Sequence, residues 1–255
     1  MRRISHALIL CLGLLALPLA PTAMAQGLTE AQRAEVVEVL RRALRDDPSI
    51  LRDAIVALQE AEERDRSTAG RAAIVGQAAA LFADAADPTR GNPRGDVTIV
   101  EFFDARCGFC KQLHPSLEAL LRRDGNVRVV MKDLPVLGPN SQLAARALLA
   151  AHRQGRYAAM QDALLTLRGE PTEAVLQDVA RRLGLDWARL RREMDDPAIA
   201  RRIEANTRLA QSLGIQGTPA LIIAGPGGPA TATLVPGAVD LQQLERLVAE
   251  ARGRR

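Results

Sequence analysis

The stretch from Val97 to Leu121 constrains this chain most. Val97-Thr98-Ile99-Val100-Glu101-Phe102-Phe103 is rich in β-branched and aromatic residues and predicts a buried strand. Leu113, Leu117, Leu120 and Leu121 recur at helical spacing, so a helix follows. Between them Asp104-Ala105-Arg106-Cys107-Gly108-Phe109-Cys110 carries two cysteines through a strand-to-helix turn. A helix start leaves backbone N–H groups unpaired and bears partial positive charge. A thiolate placed there is stabilised. Two intervening residues let the sulfurs meet within one turn, in a ring tight enough to exchange. Cys107 therefore reads as the attacking thiolate, nearer the N–H groups and solvent. Cys110 reads as the resolving thiol, one turn deeper, which releases the partner from a mixed disulfide.

Other uses of a Cys-x-x-Cys pair are narrowed by the rest of the chain. A closed zinc site needs four ligands. Beyond Cys11 the sequence has no third cysteine, and its later histidines are His114 and His152. A zinc site would draw on Cys107, Cys110, His114 and His152, and the rival reading is a metal-tolerance protein that holds copper or zinc through Cys107 and Cys110. Lys111 stands where a Cys-x-x-Cys-His haem attachment needs histidine, which excludes that use. A loop this short gives a purely structural disulfide little chain entropy to restrain.

Further motifs follow in order: Phe102-Phe103-Asp104 before Cys-Gly-Phe-Cys, Lys132-Asp133-Leu134-Pro135, Leu137-Gly138-Pro139 and Gly217-Thr218-Pro219. With these the chain resembles the DsbA-like thiol–disulfide oxidoreductases, in particular the secreted ScsC-like branch with an N-terminal helical extension. The resemblance implies an α/β thioredoxin fold with a helical domain inserted at 139–214. It implies a cis Thr218-Pro219 bond facing the Cys107 sulfur, with the Thr218 backbone pairing to an extended substrate. It places Glu101 and Lys132 as a buried acid–lysine pair beneath the thiols, tuning the Cys110 proton. It implies cysteine-containing client proteins, a redox partner (a membrane-bound one included), self-association through the extension, and no metal or organic cofactor.

Read as residues alone, Glu101 is a charge inside an apolar strand and Lys132 ends the next one. An unpaired buried charge is costly, so the two either partner each other or reach solvent at a strand end. His114 lies four residues past Cys110, on the same helical face. There a protonated imidazole favours a thiolate, and otherwise it is simply exposed. Pro219 opens a strand, where proline is allowed. Asp104 reads as a turn residue.

Arg2 and Arg3, an apolar stretch from Ala7 to Ala20 and Ala23-Met24-Ala25 read as a secretory signal over residues 1–25. Cys11 leaves with it. Export to a periplasmic or otherwise secreted location puts the thiol pair where disulfides persist. The net charge of +4 includes Arg2 and Arg3, so the remainder is near neutral and makes no case for nucleic acid. Aromatics make up only 2%, so the core is built from Leu, Val, Ile and Ala.

Residues 26–83 read as a helical extension. Thr29 with Gln32 makes a capping box. Val36, Val39, Leu40, Ala43 and Leu44 form one apolar stripe; Ile50, Leu51, Ala54, Ile55 and Leu58 form a second after Asp47-Pro48. Residues 26–66 pack either on their own domain or on another copy. Residues 84–96, with Pro88, Gly91, Pro93 and Gly95, read as a linker. The thioredoxin domain spans 97–252. Its second strand is 127–132, helices fill 139–214, strand 220–224 pairs antiparallel with an edge strand near 231–235, and a helix closes the fold. The sequence thus points to exported protein thiol–disulfide exchange, with oxidase or isomerase direction open. Metal binding and a non-catalytic interaction role are the alternatives.

Overall fold

The structure is a computed structural model that describes residues 28–253, without the side chains of residues 63 and 65–67. The signal segment 1–25 lies outside the described residues. Two compact units are formed, one ending at Glu60 and one beginning at Ala61.

In the first unit, helix α1 (Glu30–Asp46) opens on the expected capping box, with Thr29 and Gln32 exchanging side-chain to backbone bonds. Asp47 ends it and accepts from the Ser49 N–H at 3.0 Å, at the start of α2 (Ser49–Gly76). α1 buries no residue. Val36, Val39, Leu40 and Leu44, with Ile50, Leu51, Ile55 and Leu58, are exposed. α2 runs on through the charged stretch 60–66, because Glu, Arg and Ala are good helix formers and charge alone does not end a helix.

The second unit is built on a five-stranded sheet ordered β1-β3-β2-β4-β5. The strands are β1 (Thr89–Gly91), β2 (Val97–Phe103), β3 (Val127–Asp133), β4 (Ala220–Ala224) and β5 (Thr233–Pro236). β2 and β3 are parallel, joined by α3 (Gly108–Arg123). The other neighbours are antiparallel. Between β3 and β4 run α4 (Pro139–Arg153), α5 (Tyr157–Leu165), α6 (Glu173–Arg182), α7 (Trp187–Met194) and α8 (Pro197–Ser212). α9 (Leu241–Ala251) ends the fold. Among the described residues no helix is long and apolar enough to cross a membrane.

Two boundaries differ from the sequence reading. The segment 84–96 is not only a linker: Thr89–Gly91 pairs with β3 as an edge strand. Three residues of that polarity carry no strand pattern, so only the neighbour reveals it. Ile74 and Leu81, assigned above to the extension, sit in the core beneath the sheet.

One sheet face carries Ile99, Phe103, Val129, Met131 and Leu221 and packs against α3, α9 and the inserted helices. The other carries Val100, Phe102, Val130 and Ile222 and packs against Ile74, Leu81, Leu209 and Leu213. This division overturns the Glu101–Lys132 pair. The register sets Glu101 beside Met131 and Phe102 beside Lys132. Residues in register share a face and successive residues alternate, so Glu101 and Lys132 point to opposite faces. Lys132 instead donates to the Asp87 carboxylate and, at 2.6 Å, to the Ala80 carbonyl. Arg202 also donates to Asp87, at 2.9 Å. Burial pushes the Asp87 carboxyl up, with Lys132 and Arg202 opposing. Desolvating such a pair is tolerable only because each polar group is matched.

Candidate active site

Cys107 is the N-cap of α3, in extended conformation, and Cys110 is the third residue inside the helix. The Cys107 carbonyl accepts the Lys111 N–H at 3.0 Å, which continues the helical ladder back to the cap. Cys107 keeps 8% exposure while Cys110 is fully buried. Both are free thiols. The Cys107 Sγ donates to the Thr218 carbonyl at 3.2 Å. Thr218-Pro219 is cis, as the resemblance implied, and precedes β4. Two remote segments of the chain therefore meet at one sulfur. Burial pushes the Cys110 thiol well up, and Glu101, when ionised, adds to this. The Asp104 N–H and Thr218 act in the other direction.

Glu101 lies on the sheet face that α3 covers. Burial pushes its carboxyl up to about 8; Arg90 opposes this and Asp133 adds to it. The cation that acts on Glu101 is thus Arg90, not Lys132. Arg90 is in register with Val129, on the same face as Glu101. Its guanidinium meets Glu118 at 2.7 Å, Asp162 at 2.6 Å and Gln161 at 2.8 Å. Sequence reasoning missed Arg90 because it lies in the segment read as a linker. Asp133, also missed as a site residue, is fully buried beside Tyr157, whose hydroxyl donates to it at 2.9 Å. Burial raises the Asp133 carboxyl to about 7 while that hydrogen bond lowers it.

His114 is buried, and its Nε2 lies 3.3 Å from Asp162. When protonated, its charge is met by that carboxylate. Burial works against ionised Asp162, yet the bonds from His114 and Arg90 hold its carboxyl below the usual range. The set Cys107, Cys110, His114 and His152 does not converge as a metal site. Among the described residues, the ligand atoms that approach one another in a group of three belong to His114, Glu118 and Asp162. There Arg90 already pairs with both carboxylates. His152 packs edge-on against Tyr157, with ring centroids 5.9 Å apart.

Around the thiols the surface is both apolar and charged. Phe109 is 64% exposed, and Val136 and Leu137 are about half exposed. Arg106 grips Glu170 with two nitrogens, at 2.6 and 2.7 Å. Lys111 donates to the Leu167 carbonyl at 2.6 Å. These bonds tie the thiol turn to the loop between α5 and α6.

A cysteine at a helix N-cap, a second cysteine buried one turn on, and a cis-proline loop against the first sulfur together define a thioredoxin-type dithiol site. A family model described as the DSBA-like thioredoxin domain matches residues 98–249. The chain belongs to that family. It is similar to a thioredoxin-like oxidoreductase from Silicibacter pomeroyi, at 40% identity over 69% of this chain and 98% of that one, with a TM-score of 0.64. ScsC of Proteus mirabilis is 31% identical over 88% of this chain and 97% of its own, with a TM-score of 0.63. Among curated proteins, a Na(+)/H(+) antiporter NhaA 1 of Salinispora arenicola is 37% identical over 145 residues. That match covers 54% of this chain and 22% of the antiporter, so the chain spans about a fifth of that relative's length.

Proposed function

We propose that this protein is an exported thiol–disulfide oxidoreductase acting on protein cysteines. The observation that carries the reading is the Cys107 sulfur, placed at the start of α3 and 3.2 Å from the Thr218 carbonyl, with Cys110 buried behind it. In the oxidised protein a client thiolate attacks the Cys107 sulfur and breaks the Cys107–Cys110 bond. Cys110 leaves as a thiolate and takes a proton. A second client thiolate then attacks the client sulfur of the mixed disulfide and releases Cys107. Two electrons pass from client to protein, and the reverse sequence reduces a client. Glu101, with its carboxyl raised to about 8, is protonated at neutral pH and serves as the buried proton donor for Cys110. An extended client segment adds alongside the Thr218 backbone, as in strand addition. A separate thiol–disulfide protein, membrane-bound or soluble, restores the starting redox state.

The test is the oxidised protein mixed with a reduced two-cysteine peptide. The peptide is expected to lose two hydrogens while Cys107 and Cys110 gain them, one for one; an unchanged peptide contradicts the reading. The reduction potential of the pair sets direction: an oxidising value marks a disulfide donor, a reducing one an isomerase or reductase.

The stripe of Val36, Val39, Leu40 and Leu44 is exposed along α1. We propose a second copy of this chain as its partner, because an apolar helix face of this length is poorly stable in water alone. Sedimentation is expected to show an oligomer that dissociates in a Val39→Glu, Leu40→Glu variant. A monomeric native chain refutes this part.

A further inference from the structure

Asp104 does far more than a turn requires. Its side chain is buried, and its two oxygens accept four hydrogen bonds. Oδ1 takes the Arg106 N–H at 2.8 Å and the Ser141 hydroxyl at 2.9 Å. Oδ2 takes the Val136 N–H at 2.9 Å and the Leu137 N–H at 3.1 Å. A carboxylate offers about four acceptor sites, so this one is saturated. Its own carbonyl accepts the Cys107 N–H at 3.0 Å. Only the bonds to Arg106 and Cys107 belong to the turn. The other three reach the loop after β3 and the first turn of α4.

That loop is held from both sides. The Leu137 N–H points to Asp104, and the Leu137 carbonyl accepts from the Arg106 guanidinium. Gly138 then turns the chain into α4 at a φ of 93°, a conformation that favours glycine. One carboxylate thus joins three segments: the Cys107 turn, the loop carrying exposed Val136 and Leu137, and the inserted helices through Ser141.

Resting on the exchange reading, we propose that Asp104 is a positioning residue for that reaction. It fixes the direction of the Cys107 sulfur relative to the loop and the inserted helices. Disulfide exchange needs the three sulfurs in line, and small misplacements of a reacting atom are costly. Asp104 acts through the frame and does not touch the client.

Position and charge predict opposite signs, which makes the test sharp. Asp104→Asn keeps the shape but removes a negative charge near the thiols and turns two acceptor sites into donors. If charge were the whole effect, Cys107 would be alkylated faster by iodoacetamide and would exchange faster. Positioning predicts exchange with a disulfide-containing peptide about tenfold slower or more, while alkylation at Cys107 is unchanged or faster. Thermal melts show that the compared proteins are folded. Exchange within about twofold of the native rate overturns the proposal, as does a parallel fall in both reactions. If Asp104→Asn does not fold, Ser141→Ala decides: it removes one donor to Oδ1 and is expected to slow exchange about threefold with alkylation unchanged. An unchanged exchange rate in that variant overturns the proposal. A native protein that is alkylated at Cys107 but exchanges with no peptide overturns the exchange reading itself, and this inference with it.

Discussion

Cys107→Ser is expected to lower peptide disulfide exchange by at least ~10³-fold, to the uncatalysed background. A serine hydroxyl cannot attack a disulfide at neutral pH, and no S–O analogue of the mixed disulfide carries the exchange. Cys110 cannot take over. It is fully buried, and that burial keeps its thiol protonated. The variant should fold normally, because Cys107 makes one side-chain hydrogen bond, to the Thr218 carbonyl, that a hydroxyl can also make. Exchange rates with a disulfide-containing peptide, measured beside a thermal melt, check this. More than about a tenth of native activity would move the nucleophile elsewhere.

Glu101→Gln is expected to change both stability and rate, each with its own pH dependence. The Glu101 carboxyl titrates near 8 when folded, against an ordinary value of 4.5. Between these values the unfolded chain has already lost a proton that the folded chain retains. The Glu101 contribution to stability therefore falls as pH rises from about 4.5 to about 8 and is constant outside that window. At pH 7 the cost is on the order of 3 kcal/mol. Glutamine removes the titration, so denaturation midpoints should rise at pH 7 and match native protein near pH 4. An equal gain at both pH values would contradict the buried, protonated acid. The same variant loses the proton donor for Cys110, and release of Cys110 should slow by about 10²-fold. Arg90 and Asp133 also act on this carboxyl, so the midpoint of the transition moves with either of them.

Much of this was legible in the sequence because it is local. The β2 bounds follow from a run rich in β-branched and aromatic residues, and the cysteine turn follows from a strand that gives way to a leucine stripe. The Thr29–Gln32 cap and the Asp47 turn need only neighbours a few residues apart. The failures share a cause, which is register. Nothing local says that Glu101 aligns with Met131, so nothing local says that Glu101 and Lys132 lie on opposite faces. The true partner of Lys132 is Asp87, and the cation acting on Glu101 is Arg90. Both come from a segment of prolines and glycines that resembles a connector. His114 was placed on the correct helical face, yet its neighbour Asp162 comes from α5, which only packing supplies. Asp104 was read as a turn residue because its loop and α4 partners lie more than 30 positions away.

The most direct test is the mass of Cys110→Ser after incubation with a disulfide-containing peptide. Without the resolving thiol, a captured client should remain bound. The expected product is a single one-to-one adduct, reversed by dithiothreitol and mapped to Cys107. An adduct on no residue, while the same peptide exchanges freely with glutathione, would contradict the account.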